Sequence, residues 1–192
     1  MCEKLLKNVY QHPLLNNDEL KIIFGAHTKS TFEKGEMMLK EGDTANSYFI
    51  LQSGLMRSFV RDFNGNNITT DFFVANEIVI EVSSLFQRKP TQENIKALID
   101  CVCWKIDYDD FQKLFHSISG FSEWGRAWMA QSLFESKRRA VSMITDSATE
   151  RYQKLLKEKP LVLKNAPLKY IASYLGITDS SLSRIRKETA QL

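Results

Sequence analysis

The sequence is sparing with the residues that build most catalytic and metal sites. Three cysteines, Cys2, Cys101 and Cys103, occur in 192 residues. They cannot all pair with one another, which suits a reducing compartment better than a disulfide framework. Three histidines, His12, His27 and His116, are scattered without metal-ligand spacing. Surface or half-buried polar roles are their default, and haem ligation by one of them stays open. Only eight glycines are present, mostly at turn-like positions, and none forms a Walker-type phosphate loop. There is no nucleophile elbow and no His-Glu-x-x-His helix. No catalytic residue, metal or cofactor is therefore expected. No uninterrupted apolar run approaches the ~20 residues of a membrane helix. Met1 to Tyr10 carries lysines within a short amphipathic pattern instead of a signal-peptide core. A soluble, non-enzymatic chain with a cytoplasmic address and no membrane partner is the expectation.

What the chain does have is concentrated near its end. Its formal net charge is only +3, but Glu150 to Leu192 holds nine Lys or Arg against four Asp or Glu, while the remainder holds seventeen against nineteen. Counterion release on a phosphate lattice calls for such a concentration, although charge alone is equally compatible with a solvated lysine-rich surface. Pro167 to Glu188 reads as two short helices broken by a glycine. Ile171, Ala172 and Leu175 set an apolar stripe on the first, Gly176 permits the turn, and Thr178 caps a second helix with Leu182 and Ile185 as its buried spokes. Small Ala172, four positions before Gly176, allows close helix approach. This is the pattern of a helix-turn-helix, whose second helix shows Asp179, Ser180, Ser181, Ser183, Arg184, Arg186 and Lys187 to the outside. Short hydroxyls and guanidinium groups suit phosphates and guanine edges in a major groove. The alternative is an ordinary helical hairpin with a mildly basic, solvated face.

Upstream, residues 3–28 carry helical periodicity with a break at His12-Pro13, and Asn17 or Asp18 is the expected cap of the second piece. From Phe32 the grammar changes to short Phe, Ile, Val and Thr runs punctuated by glycine pairs, as in an antiparallel sandwich or barrel. Strands are expected near 30–33, 37–40, 47–52, 55–61, 67–74, 78–80, 94–99 and 101–106, with Asn64-Gly65 as the clearest hairpin. Cys101 and Cys103, two apart, should share one strand face as small core residues. Asp107 with Asp110 is expected to open a helix. A long proline-free helix follows over 122–145, with an apolar stripe broad enough to cover the sheet and also meet its copy in a two-fold dimer. Lys137, Arg138 and Arg139 are expected to be solvated. Asp146 to Glu150 is the expected hinge. Beyond it, Tyr152, Leu155 and Leu156 should pack toward Ile171 and Ile185, and Pro160 should end that helix.

The run Phe32-x-Lys-Gly-Glu-x-Met-Leu-x-Glu-Gly-Asp43, followed by Tyr48-Phe-Ile-Leu-Gln-Ser-Gly-Leu-Met-Arg57, resembles the cyclic-nucleotide-binding β-roll of the Crp/Fnr family of bacterial transcription regulators. Gly35, Gly42 and Gly54 fall at that family's turn positions. Leu168-Lys-Tyr-Ile-Ala-Ser-Tyr-Leu-Gly-Ile177 with Ser181-Leu-Ser-Arg-Ile185 is similar to its DNA-reading unit, so the resemblance covers nearly the whole chain. It implies an α+β fold: an antiparallel β-roll (double-stranded β-helix) sensor over residues 1–119, a dimerisation helix and hinge over 120–146, and a winged-helix-like helix-turn-helix domain over 147–192. The chain stops at Leu192, where many relatives continue into a β-hairpin wing. That departure favours a second reading, a ligand-binding or protein-interaction module with a degenerate DNA-binding end.

By the same resemblance, Asn76-Glu77 stands where the effector cassette has Gly-Glu, and Thr91 and Gln92 replace its Arg-Ser pair. Loss of the bidentate guanidinium, with Glu93 nearby, removes the main attraction for a cyclic phosphate, so cyclic AMP is not the expected ligand. Lys96 or Lys89 could supply an anion site, though such residues are common on strand and loop surfaces. An iron–sulfur cluster needs four thiolates and three exist. The implied partners are double-stranded DNA, a second copy of the chain, RNA polymerase and an unidentified small-molecule effector. In register with the family, Asp179, Ser180 and Arg184 face base edges, while Thr178, Ser181, Ser183, Arg186 and Lys187 position phosphates.

Overall fold

The computed structural model describes residues 2–189, and Cys2 by its backbone alone. The reading of Cys2 as a thiol, like anything resting on residues 190–192, lies outside the described residues.

Two helices, α1 (Cys2–Val9) and α2 (Asn17–Gly25), precede the strands. The cap of α2 is Asn16, one residue earlier than expected. Its side chain accepts from the Asp18 and Glu19 amides while the Glu19 carboxylate accepts from the Asn16 amide, a reciprocal capping box.

Eight strands follow: β1 (Thr28–Phe32), β2 (Met37–Leu39), β3 (Ser47–Ser53), β4 (Met56–Arg61), β5 (Asn67–Phe73), β6 (Ile78–Val79), β7 (Asn94–Ala97) and β8 (Cys101–Asp107). They form two antiparallel four-stranded sheets in the orders β1-β8-β3-β6 and β2-β7-β4-β5. Phe49, Leu51, Met56, Phe73, Val79, Ile95, Cys101 and Cys103 make one buried cluster of the roll. Both cysteines are therefore core residues with free thiols, and burial pushes the Cys103 thiol up to about 12. Gly54 joins β3 to β4 at φ +117, where an added Cβ would run into the Asp100–Cys101 backbone.

A short helix α3 (Val82–Gln87) interrupts the strands, and α4 (Tyr108–Ser117) and α5 (Ser119–Thr145) leave them. Asp107 occupies the N-cap of α4, but its side chain makes no capping hydrogen bond. Leu6, Tyr10, Ile23, Tyr48, Ile50, Phe111, Phe121 and Trp124 form the core under α1, α2, α4 and the start of α5.

Four further helices complete the described chain: α6 (Ala148–Glu158), α7 (Pro160–Asn165), α8 (Leu168–Leu175) and α9 (Asp179–Thr189). The polar stretch expected as a hinge is shorter than anticipated, because Ser147 and Glu150 form the capping box that starts α6. Pro160 does not simply end a helix. It occupies the first turn of α7, where the missing N–H leaves no bond unmade. Tyr152, Leu155, Ile171, Ala172, Leu175, Leu182 and Ile185 share a core with Leu55, Phe72 and Leu98 of the roll. Leu156, expected in that core, is 43% exposed.

Candidate functional site

Two regions carry exposed chemistry. The first is the outer face of α9. Gly176 closes α8 at φ +66 with its amide directed to the Ala172 and Ser173 carbonyls, and the chain re-enters a helix three residues later. Thr178 caps α9, its hydroxyl accepting from the Ser181 amide at 3.2 Å. Leu182 and Ile185 are buried, so the helix has a defined inner side. Thr178, Asp179, Ser180, Ser183, Arg184, Arg186 and Lys187 are exposed and Ser181 is half-buried. The residues singled out on this helix thus lie together on its solvent side, but the Thr178 hydroxyl also bonds those of Ser180 and Ser181, at 2.9 and 3.0 Å.

The second region is a cavity of roughly 1000 Å³ bounded by the roll, α5 and the C-terminal helices. Asn76 and Glu77 reach its wall, whereas Thr91 and Gln92 do not. Thr91 is buried, its hydroxyl accepting from the Glu93 amide, and Gln92 is exposed elsewhere. Asn76 adopts φ +73, a conformation asparagine tolerates better than most residues with a Cβ. The Lys159 ammonium donates to Glu77 Oε2 at 2.9 Å and to the Phe72 carbonyl, with Asp71 at 3.7 Å.

Burial pushes the Glu77 carboxyl up and the Lys159 ammonium only partly offsets it. Burial also works to lower Lys159, but Asp71 and Glu77 outweigh it and hold the ammonium above the ordinary lysine range.

Sequence reasoning had not singled out two other groups in this cavity as site residues. Glu81 lines it and caps α3 by accepting from the Ser83 and Ser84 amides. Glu93 lies deeper, beside the Ser58 and Thr70 hydroxyls, and its carboxyl is pushed up by burial, with Glu81 and Asp71 adding to the rise. The Glu81–Val82 step into a short helix was the signal that could have found the first. Arg139, expected in solvent, is half-buried: its guanidinium lies 4.0 Å from the Tyr174 ring centroid and donates to the Thr70 carbonyl. Lys137 and Arg138 are exposed as expected.

Among the described residues no group of His, Cys, Asp and Glu could hold a metal ion. No described helix is long and apolar enough to cross a membrane.

Residues 29–117 match the family of cyclic nucleotide-binding domains. Solved structures extend the likeness to the C-terminal helices. FixK2 from Bradyrhizobium japonicum superposes with a TM-score of 0.74 at 18% identity, covering 86% of this chain and 85% of that one. A transcriptional regulator of the crp/fnr family from Eubacterium rectale gives 0.71 at 17% identity, covering 95% and 88%. The catabolite activator protein of Thermus thermophilus gives 0.60 at 16% identity, covering 97% and 87%. Residues 29–117 are therefore similar to a cyclic nucleotide-binding domain, and the chain has the overall fold seen in solved Crp/Fnr transcriptional regulators.

Proposed function

We propose that the protein is a sequence-specific DNA-binding transcription regulator that acts as a homodimer and does not respond to cyclic AMP. In this reading α8, the Gly176 turn and α9 are a helix-turn-helix. Asp179, Ser180 and Arg184 face base edges, and Thr178, Ser181, Ser183, Arg186 and Lys187 position phosphates. The observation that carries it is the two-sidedness of α9: Leu182 and Ile185 are fixed in the core while Arg184, Arg186 and Lys187 stand free on the most basic segment of the chain.

Dimerisation through α5 is supported by its apolar residues that the roll leaves uncovered. Leu133, Phe134, Val141 and Ile144 are 67%, 66%, 47% and 86% exposed. Phe134 and Val141 lie about two turns apart, and Leu133 and Ile144 about three, so each pair shares a side of the helix. A two-fold axis along α5 would place two α9 helices to read an inverted repeat.

The effector reading rests on the cavity. On its roll side Glu81 and Glu93 oppose a phosphate and no guanidinium stands where the family's cassette has one, while the arginines of its lining, Arg138, Arg139 and Arg151, come from the helical side. A mobility-shift series on genomic fragments tests the function: retardation that weakens steeply with added salt is expected. No retardation at any ionic strength would contradict it.

A further inference from the structure

The cavity between the roll and the helices is lined by charges of both signs, and most of them stay apart. Every cation of the lining comes from the helical side: Arg138 and Arg139 on α5, Arg151 and Lys154 on α6, and Lys159 at the start of α7. Asp71, Glu77, Glu81 and Glu93 come from the roll side. Lys159 reaches across to Asp71 and Glu77, and among the described residues no other ion pair joins two groups of this lining.

On the roll side, oxygen acceptors converge at Glu93. Ser58 is 2% exposed, its hydroxyl bonds that of Thr70, and the Glu93 carboxyl accepts from both. All three groups line the cavity, with Glu81 and Asp71 near enough to add their negative charge. Such a place suits a ligand group that donates hydrogen bonds and carries positive charge. An ammonium has three donors and no acceptor.

The helical side is the opposite case. Arg139 and Arg151 donate to carbonyls alone, those of Thr70 and Tyr174 for the first and of Asp146 and Leu175 for the second. Arg138 and Lys154 make no hydrogen bond or ion pair among the described residues, and they reach the same chamber. Glu135 and Glu158 stand on this side too, but two carboxylates leave four cations in surplus.

A ligand with a single charge would satisfy one side of this chamber and meet like charge on the other, whereas a dipolar ligand satisfies both. A volume of roughly 1000 Å³ admits a small organic molecule. Ile78, Ile80 and Trp128 also line it and offer apolar surface to a hydrocarbon spacer.

We propose that the cavity binds a small zwitterion, an amino acid or related amino carboxylate, with its ammonium group against Glu93, Ser58 and Thr70 and its carboxylate against Lys154 and Arg138. That the occupant acts on DNA binding rests on the function proposed above, whereas the binding itself does not.

The test is an amide chemical-shift titration of the isotope-labelled full chain at neutral pH, without DNA. The probes are ω-amino acids from β-alanine to aminooctanoate, with the alkylamine and the alkanoate of each chain length. One spacer length should bind most tightly and move the Ser58, Thr70, Glu93 and Lys154 amides together. At that length the amino acid should exceed both its amine and its alkanoate by about tenfold or more. Glu93→Gln should weaken the amino acid and the amine about tenfold and leave the alkanoate no weaker. Lys154→Gln should weaken the amino acid and the alkanoate and leave the amine no weaker. A general loosening of the fold would not give this crossed pattern. If either variant fails to fold, Glu81→Gln replaces the first and Arg138→Gln the second.

An amine or alkanoate that binds as tightly as the amino acid would overturn the dipolar ligand, and so would equal losses for all three probes in both variants. No shift at Thr70 and Lys154 with any amino acid of the series would overturn the site. Amino-acid binding by a chain that selects no DNA duplex would sink the DNA reading and leave the site standing, and the reverse result would do the opposite.

Discussion

The Tyr10 hydroxyl stands 2.8 Å from Nε2 of His27, and His27 Nδ1 stands 2.8 Å from the Ile23 carbonyl. The carbonyl can only accept, so Nδ1 carries the proton and Nε2 accepts from Tyr10. The imidazole is thus fixed as a neutral structural group that ties the helix α2 end to α1, and through Tyr10 to the Tyr48 hydroxyl on β3.

Burial drives His27 down to about 4 from an ordinary value of 6.5. A base whose value is lowered on folding binds fewer protons folded than unfolded, so stability is lost as the pH falls from 6.5 toward 4. The loss attributable to this residue should reach roughly 2–3 kcal/mol near pH 4. Denaturant melts of wild type and His27→Gln check it: the wild type should weaken more steeply across that window, and parallel curves would refute the assignment.

Glu93 shifts the other way. An acid whose value is raised on folding contributes most below its unfolded value, 4.5, and its contribution is lost as the pH rises through the folded value. Glu93→Gln removes the buried negative charge and keeps hydrogen-bonding capacity toward Ser58 and Thr70. It should therefore melt higher than wild type at pH 7 to 8, with the gap closing toward pH 4. A variant that melts lower at neutral pH would show that the carboxylate is held there by an attractive partner.

In the proposed function, the apolar side of α5 sets the oligomeric state. Charge placed on it should oppose self-association without disturbing the roll, since Phe134 and Ile144 are largely exposed. Sedimentation of Phe134→Asp with Ile144→Asp should give a monomer at micromolar concentrations where wild type is a dimer, with the melting temperature of the roll nearly unchanged. A wild type that sediments as a monomer at the same concentration would refute the dimer reading.

Much of this architecture was legible locally. The strands of the roll could be located to within a few residues because glycines at positive φ, such as Gly54 and Gly65, separate the runs, and the Gly65 turn links β4 to β5 as expected. The two-sided pattern of α9 was equally plain, because Leu182 and Ile185 are three apart among polar residues. Where local rules misled, a different local rule had priority. Asn16 rather than Asn17 caps α2 because only Asn16 has Glu19 three positions later to complete the box. Helix α6 does stop short of Pro160, and the same proline then opens α7 because a first-turn proline loses nothing. The roles of Arg57, Arg139 and Lys159 were not legible. Each meets a partner far away in sequence, Tyr170, Tyr174 or Glu77, and a basic side chain reads as solvated until the fold supplies that partner. For the same reason the cavity wall could not be composed from the residues of one segment.

The central claim is that α9 reads DNA, and selection of binding sites from randomised duplexes by wild type and by Arg184→Ala tests it most directly. Wild type should select an inverted repeat. Arg184→Ala should bind it about 1–3 kcal/mol more weakly and lose its preference at one symmetric pair of positions. Selection of no common sequence by the wild type, or the same sequence profile from both proteins, would contradict the account.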